Sequence, residues 1–304
     1  MRWLSLFALA LMLSAATSHA ADTPGGQIVY PRKEGEGYKL HIMNADGTGD
    51  RLLPGQTSAV SAFPAPSPNG KRIAYMAAEK VQPDRHQVCI INADGTGLVT
   101  VNTPSMRAGM PAWSPDGKQL LFSAGDQRPN VFLADADGNG ARQLNPEGTG
   151  AFGGFWMPDG KRVGYTRFSE GAMTAKIVLV NVDGSGEEPV TSGDALAMAG
   201  ASSLSPDGKK LLYLSMDPST MKASLRMWEF ATKAESVLMD VDAGGESLEK
   251  FPLPAWAPDG KSFLIALKTD KGMGLFSVSE DGKTKTRLTP DGVDCLTGAW
   301  IKGG

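Results

Sequence analysis

The chain has 304 residues, a formal net charge of −3 at pH 7 and 41% hydrophobic residues. Acidic residues (33) slightly outnumber basic ones (30), so bulk charge gives no reason to expect nucleic acid or an anionic membrane as a partner. Three histidines and two cysteines over this length are too few for a histidine-rich metal centre or a disulfide scaffold.

Arg2 precedes an apolar run from Leu4 to Leu13, and Ser18-His19-Ala20 follows with small residues at the −3 and −1 positions. That is the layout of a secretory signal cleaved after Ala20. The run is too short to span a bilayer, and no cysteine stands at the cleavage point to carry a lipid. The mature chain, residues 21–304, is therefore expected in the periplasm, with no transmembrane segment.

From Gln27 onward the chain is punctuated by one phrase: Pro68-Asn69-Gly70-Lys71, Pro115-Asp116-Gly117-Lys118, Pro158-Asp159-Gly160-Lys161, Pro206-Asp207-Gly208-Lys209 and Pro258-Asp259-Gly260-Lys261. Successive copies lie 47, 43, 48 and 52 residues apart, a period that signals a solenoid or a propeller. Proline presets φ for the second position of a type I turn, aspartate suits the third, and glycine takes the left-handed conformation that closes a bulged hairpin. A second phrase alternates with the first and carries Asp46-Gly47, Asp94-Gly95, Asp137-Gly138, Asp183-Gly184 and Asp281-Gly282. Phe230-Ala231-Thr232-Lys233 falls where a further copy belongs.

Between the turns lie short strands such as Gln119–Ser123, Arg162–Thr166, Lys210–Leu214 and Ser262–Ala266, rich in aliphatic and aromatic residues. Four strands per repeat, here A to D, make one propeller blade. The reading is all-β: a six-bladed β-propeller of four-stranded blades filling residues 21–304. Gly298-Ala299-Trp300 repeats Pro254-Ala255-Trp256, while Gln27–Tyr30 already reads as a B strand. The C-terminal strand is therefore expected to pair with the N-terminal strands and close the ring. Cys89 falls in a C strand and Cys295 just before an A strand of the closing blade, which favours two thiols over a disulfide.

Pro111-Ala112-Trp113-Ser114-Pro115-Asp116-Gly117-Lys118, with Asn92-Ala93-Asp94-Gly95-Thr96-Gly97, resembles the WD-like repeats of the TolB-like propellers, and the likeness runs over all six blades. In TolB itself an α/β domain precedes the propeller; here the repeats begin right after the leader. The resemblance implies a non-enzymatic propeller that binds an envelope protein or peptide. Similar repeats occur in oligogalacturonate lyases and in the propellers of prolyl-oligopeptidase-like enzymes, so the site must decide. The lyases resemble a site of several histidines, whereas the mature chain has only His41 and His86, and no Gly-x-Ser-x-Gly elbow appears.

His41 stands where other repeats hold Cys89, Phe132, Val178 and Phe276, which marks it as a packed histidine, and His86 reads as a solvated loop residue. Asp135–Gly140 resembles the start of a calcium loop, but its glycine comes too early and Pro146 stands where the closing glutamate belongs. Ser219-Thr220-Met221-Lys222 matches Ser-x-x-Lys without companion motifs.

The A-to-B and C-to-D turns are constant and share one face. The B-to-C loops, Pro31–Gly37, Ala78–His86, Phe168–Thr174 and Met216–Met221, vary and share the other, where binding residues are expected. Residues preceding the A strands supply an apolar mouth there: Phe63, Met106, Met110, Phe152, Met198, Phe251 and Leu296, with Arg107, Lys250 and Asp294 as charges. Such a surface suits a peptide or protein loop; the same side chains could instead turn inward and plug the channel. Phe152 and Phe251 are the expected anchors, removable without loss of stability. The sequence thus reads as a monomeric, periplasmic protein- or peptide-binding propeller with no catalytic residue and no cofactor. A polysaccharide-binding or polysaccharide-processing propeller and a calcium-stabilised structural propeller are the alternatives.

Overall fold

The computed structural model describes residues 26–79, 82–126, 128–169, 174–192, 194–200, 203–220, 222–242 and 252–302. The leader expected over residues 1–20 lies outside them. Among the described residues every regular element is a strand. The first are β1 (Gln27–Glu34), β2 (Gly37–Asn44) and β3 (Arg51–Leu52), then β4 (Val60–Pro66), β5 (Arg72–Glu79), β6 (Gln82–Asn92) and β7 (Val99–Thr100). The series continues with β8 (Ala108–Trp113), β9 (Gln119–Ala124), β10 (Asn130–Asp135) and β11 (Arg142–Gln143), and with β12 (Ala151–Trp156), β13 (Arg162–Phe168), β14 (Ala175–Asn181) and β15 (Glu188–Pro189). It ends with β16 (Leu196–Met198), β17 (Lys210–Met216), β18 (Ala223–Glu229) and β19 (Ala234–Val241), then β20 (Ala255–Trp256), β21 (Ser262–Thr269), β22 (Gly272–Ser279) and β23 (Lys285–Arg287), and finally β24 (Ala299–Ile301).

Neighbouring strands pair antiparallel in chain order, as in β8-β9-β10-β11 and β20-β21-β22-β23. Two further sheets hold eight strands each, and a single parallel pair joins their halves: Tyr38 with Val60, and Ala175 with Leu196. Among the described residues none of the sheets closes on itself. The last strand pairs with the first: Ala299, Trp300 and Ile301 of β24 lie opposite Val29, Ile28 and Gln27 of β1.

The turns form as the side chains dictate. In the first phrase Gly117 N–H donates to Ser114 O (2.9 Å), and Asp116 Oδ1 accepts from Ser114 Oγ (2.7 Å) and Lys118 N (3.0 Å). The glycines of all five copies sit at φ between 65 and 73°, where a Cβ would be strained. In the second phrase Asp46 Oδ1 accepts from Thr48 N (2.9 Å) and Thr48 Oγ1 (2.6 Å). Phe230–Lys233 does turn the chain between β18 and β19, with Lys233 at φ 53° in place of a glycine.

Two B-to-C connections are shorter than the sequence suggests. β1 runs on to Glu34 and β2 starts at Gly37, while β5 reaches Glu79 and β6 begins at Gln82. Pro31 stays in its strand opposite Leu40, so its missing N–H does not break the hairpin. His86 accordingly lies in a strand, opposite Ala78, and its backbone N–H donates to Met106 O (2.8 Å). Both cysteines are buried free thiols in separate apolar clusters. Burial, helped by the nearby Asp294 carboxylate, pushes the Cys295 thiol up to about 12.

Candidate functional site

The innermost strands of successive repeats converge on two cavities, stacked along their direction. The narrower one, about 40 Å³, is lined by Phe63, Met110, Leu253 and Thr297 among others. These residues occupy one column of the repeat, three residues before the strand-A tryptophan position. Phe63 and Met110 hold φ of 49° and 54°, and the next member of the column is Gly153 at φ 64°. Each marks a β-bulge, since the registers of β4, β8 and β12 shift at 62/65, 109/112 and 152/155. A bulge re-aims the strand, and left-handed backbone at two bulky residues costs of order 1–3 kcal/mol each. These residues make an apolar constriction.

Beyond the constriction, toward the constant turns, the same strands open into a bowl of about 280 Å³. Its wall is a column of Trp113, Trp156, Trp256 and Trp300, completed by Pro66 and Leu204, and its rim carries prolines of the turns such as Pro115, Pro158 and Pro206. Lys302 is the charged residue in the lining. Two of the indoles tie neighbouring repeats together: Trp113 Nε1 donates to Ala65 O (2.9 Å) and Trp156 Nε1 to Ala112 O (3.2 Å). The Arg72 guanidinium lies 4.5 Å from the Trp113 ring centroid and donates to Ala136 O (2.9 Å), which braces the bowl from outside.

The residues assigned to the variable-loop mouth divide. Phe63, Phe152, Met198 and Leu296 are buried in one apolar cluster, and half-buried Met110 packs against it. The Phe152 ring stacks at a tilt on Phe168 with centroids 5.1 Å apart. Asp294 ties its loop to the start of β22, its Oδ1 accepting from Met273 N (2.8 Å). Met106 and Arg107 are exposed, and Arg107 Nε lies 3.8 Å from an Asp126 oxygen. Lys250 and Phe251 lie outside the described residues. The bowl was missed because its tryptophans read as strand markers; the signal was one aromatic recurring at a fixed place in four repeats.

His41 is buried, and both its ring nitrogens meet carboxylates: Nδ1 is 3.0 Å from Asp50 Oδ1 and Nε2 is 2.9 Å from Glu34 Oε1. Tyr30 Oη also donates to Asp50 Oδ1 (2.8 Å), and Arg32 pairs with the other oxygen. Burial, then this hydrogen bond, pushes the Tyr30 phenol well above its usual range. His41 thus holds strands β1 to β3 together and presents no open nitrogen. Among the described residues no group of three His, Cys, Asp or Glu is placed to hold a metal ion.

A sequence family described as the TolB beta propeller domain matches residues 25–302. The chain belongs to the TolB β-propeller family. No curated protein sequence matches it. Among solved structures it is similar to TolB from Acinetobacter baumannii, with TM-score 0.73 and 21% identity over 91% of this chain and 66% of that one. The chain thus spans just under two thirds of that relative. A TolB-type chain from Agrobacterium tumefaciens aligns with TM-score 0.64 and 15% identity, covering 87% of this chain and 88% of that one. An oligogalacturonate lyase in complex with manganese aligns with TM-score 0.56 and 14% identity, covering 79% and 71%. At these identities the likenesses establish a shared fold. Among the described residues no helix is long and apolar enough to cross a membrane.

Proposed function

We propose that this TolB-family propeller is a six-bladed ring that acts in the periplasm, after cleavage of its leader, as a non-enzymatic module that binds a protein or peptide segment of the cell envelope. The observation that carries this reading is the axial bowl. Its wall of tryptophans and prolines offers rigid apolar surface with a single charge, the composition of the buried centre of a protein interface rather than of a polar catalytic pocket. The constriction at Phe63 and Met110 gives the bowl a floor, so an inserted loop would be stopped rather than threaded.

The polysaccharide reading draws support from the fold shared with the oligogalacturonate lyase. It needs clustered histidines or carboxylates on the axis, and the residues lining the bowl supply none.

The test is capture from envelope extract by the mature chain, by a rim variant (Pro158→Glu with Pro206→Glu) and by Met106→Glu on the opposite face. The prolines are exposed, so the rim variant should lose only the few degrees of Tm that two turn prolines contribute while capture falls about tenfold or more. Capture lost only in Met106→Glu would move the site to the variable loops. Capture unchanged in both, with melting raised by oligogalacturonate, would favour the polysaccharide reading.

A further inference from the structure

The outermost strands of the repeats are short, as exposed edges usually are. β3, β7, β11 and β15 have two residues each and β23 three, but β19 has eight. Its inner side pairs with β18 along its whole length, and among the described residues no strand pairs with its outer side. A full-length free edge offers a row of unpaired backbone donors and acceptors.

The two faces of β19 differ. Leu238 and Met239 pack against the largest apolar cluster. Glu235, Val237 and Asp240 lie opposite Trp228, Arg226 and Ser224 and therefore share the other face, where Val237 is 57% exposed. That face borders a cleft of about 530 Å³. The charged side chains lining the cleft are Asp194, Asp217, Glu235 and Asp240 against Lys222 and Arg226, a net acidic set. Arg226, Glu235 and Tyr213 hold one another, and Asp217 is engaged by Ser219. The carboxylates of Asp194 and Asp240 have no partner among the described residues.

The cleft wall is polar as well as acidic. Ser215 lines it, and its hydroxyl, which has no hydrogen-bond partner among the described residues, is open to an incoming donor. Here it lies in register with Ser224, which in turn lies opposite Asp240, so a polar row crosses the sheet from the cleft wall to the free edge.

We propose that the outer edge of β19 docks an extended cationic segment of a partner protein. The segment adds as a further strand and extends a lysine or arginine side chain into the cleft that holds Ser215, Asp194 and Asp240. Strand addition supplies the backbone hydrogen bonds, and the acidic lining selects the charge. A second copy of this chain is the poorer occupant: antiparallel pairing centred between Val237 and Leu238 would set Glu235 of one copy against Asp240 of the other, like charges directly opposed. The surface lies on an outer blade edge and does not depend on the axial bowl.

The test uses the mature chain and an end-capped heptapeptide of alternating threonine and lysine, followed by fluorescence anisotropy and by amide hydrogen exchange. Expected are saturable binding, new protection confined to 234–241, and a weakening of about a hundredfold in Asp194→Asn with Asp240→Asn, since each lost ionic hydrogen bond contributes on the order of a decade. The double variant keeps the parent fold because neither carboxylate has a partner to lose; Tm checks this. Methylating alternate peptide amides, which keeps charge and removes strand pairing, should abolish binding. The proposal is overturned by absent saturation, by equal binding of the threonine–glutamate counterpart, by protection elsewhere, or by sedimentation showing a dimer that covers β19.

Discussion

At the scale of single residues the turn aspartates carry most of the local order. Asp46, Asp94, Asp116, Asp183 and Asp207 all have carboxyls held below the usual range, in each case first by a hydrogen bond from a Ser or Thr hydroxyl two residues away and then by a backbone N–H. A carboxyl whose pKa is lower folded than unfolded stabilises the fold above its unfolded value, and that contribution is lost as pH falls through the folded one. Stability should therefore be level from neutral pH to about 5 and decline below about 4. The first turn shows the control that nature already built: Asn69 Oδ1 accepts from Ser67 Oγ (2.8 Å) and Lys71 N (3.1 Å) without a titrating group. Replacing the five aspartates with Asn should thus keep the turns and flatten the acid limb of a Tm-against-pH curve. An unchanged limb would mean that other carboxyls govern acid unfolding.

At the scale of elements, the strands between turns were legible because their signals are local: proline and glycine fix the reversals, and β-branched and aromatic residues fill the runs between them. The hairpin lengths were less legible. Pro31 in β1 reads as a loop residue, and only pairing with the adjacent strand keeps it extended. The residues before the A strands admit two readings from sequence, rim anchors or an inward-turned plug. Phe152 reads as a removable anchor in the sequence, but its burial against Phe168 within the largest apolar cluster makes it core. Phe152→Ala should cost about 3–5 kcal/mol in urea unfolding, the range for emptying a buried aromatic site. A cost below about 1 kcal/mol would return Phe152 to the surface and restore the anchor reading.

At the scale of the whole molecule, the pairing of β24 with β1 joins residues 270 to 274 positions apart in the sequence. Trp300 at its centre is buried beside Ile28, Tyr30 and Leu264. Removing 298–304 should therefore lower Tm by ten degrees or more, roughly what losing several kcal/mol of burial implies for a domain of this size, and should expose the β1 edge to aggregation. A truncated chain that melts like the parent would show that the terminal strands are not part of the cooperative unit.

What the sequence determined by itself is the repeating unit: turn chemistry depends on residues within four positions of one another, so five near-identical phrases sufficed to state strand order, antiparallel pairing and the meeting of the chain's two ends. The use of each repeat column was decided only by tertiary structure. The bulges at Phe63 and Met110 turn one column into an apolar constriction, the tryptophan column becomes the wall of a bowl, and among the described residues β19 alone keeps a long open edge. Those outcomes depend on how neighbouring repeats press on one another across 43 to 52 residues of chain, a steric and solvation balance that no single repeat encodes.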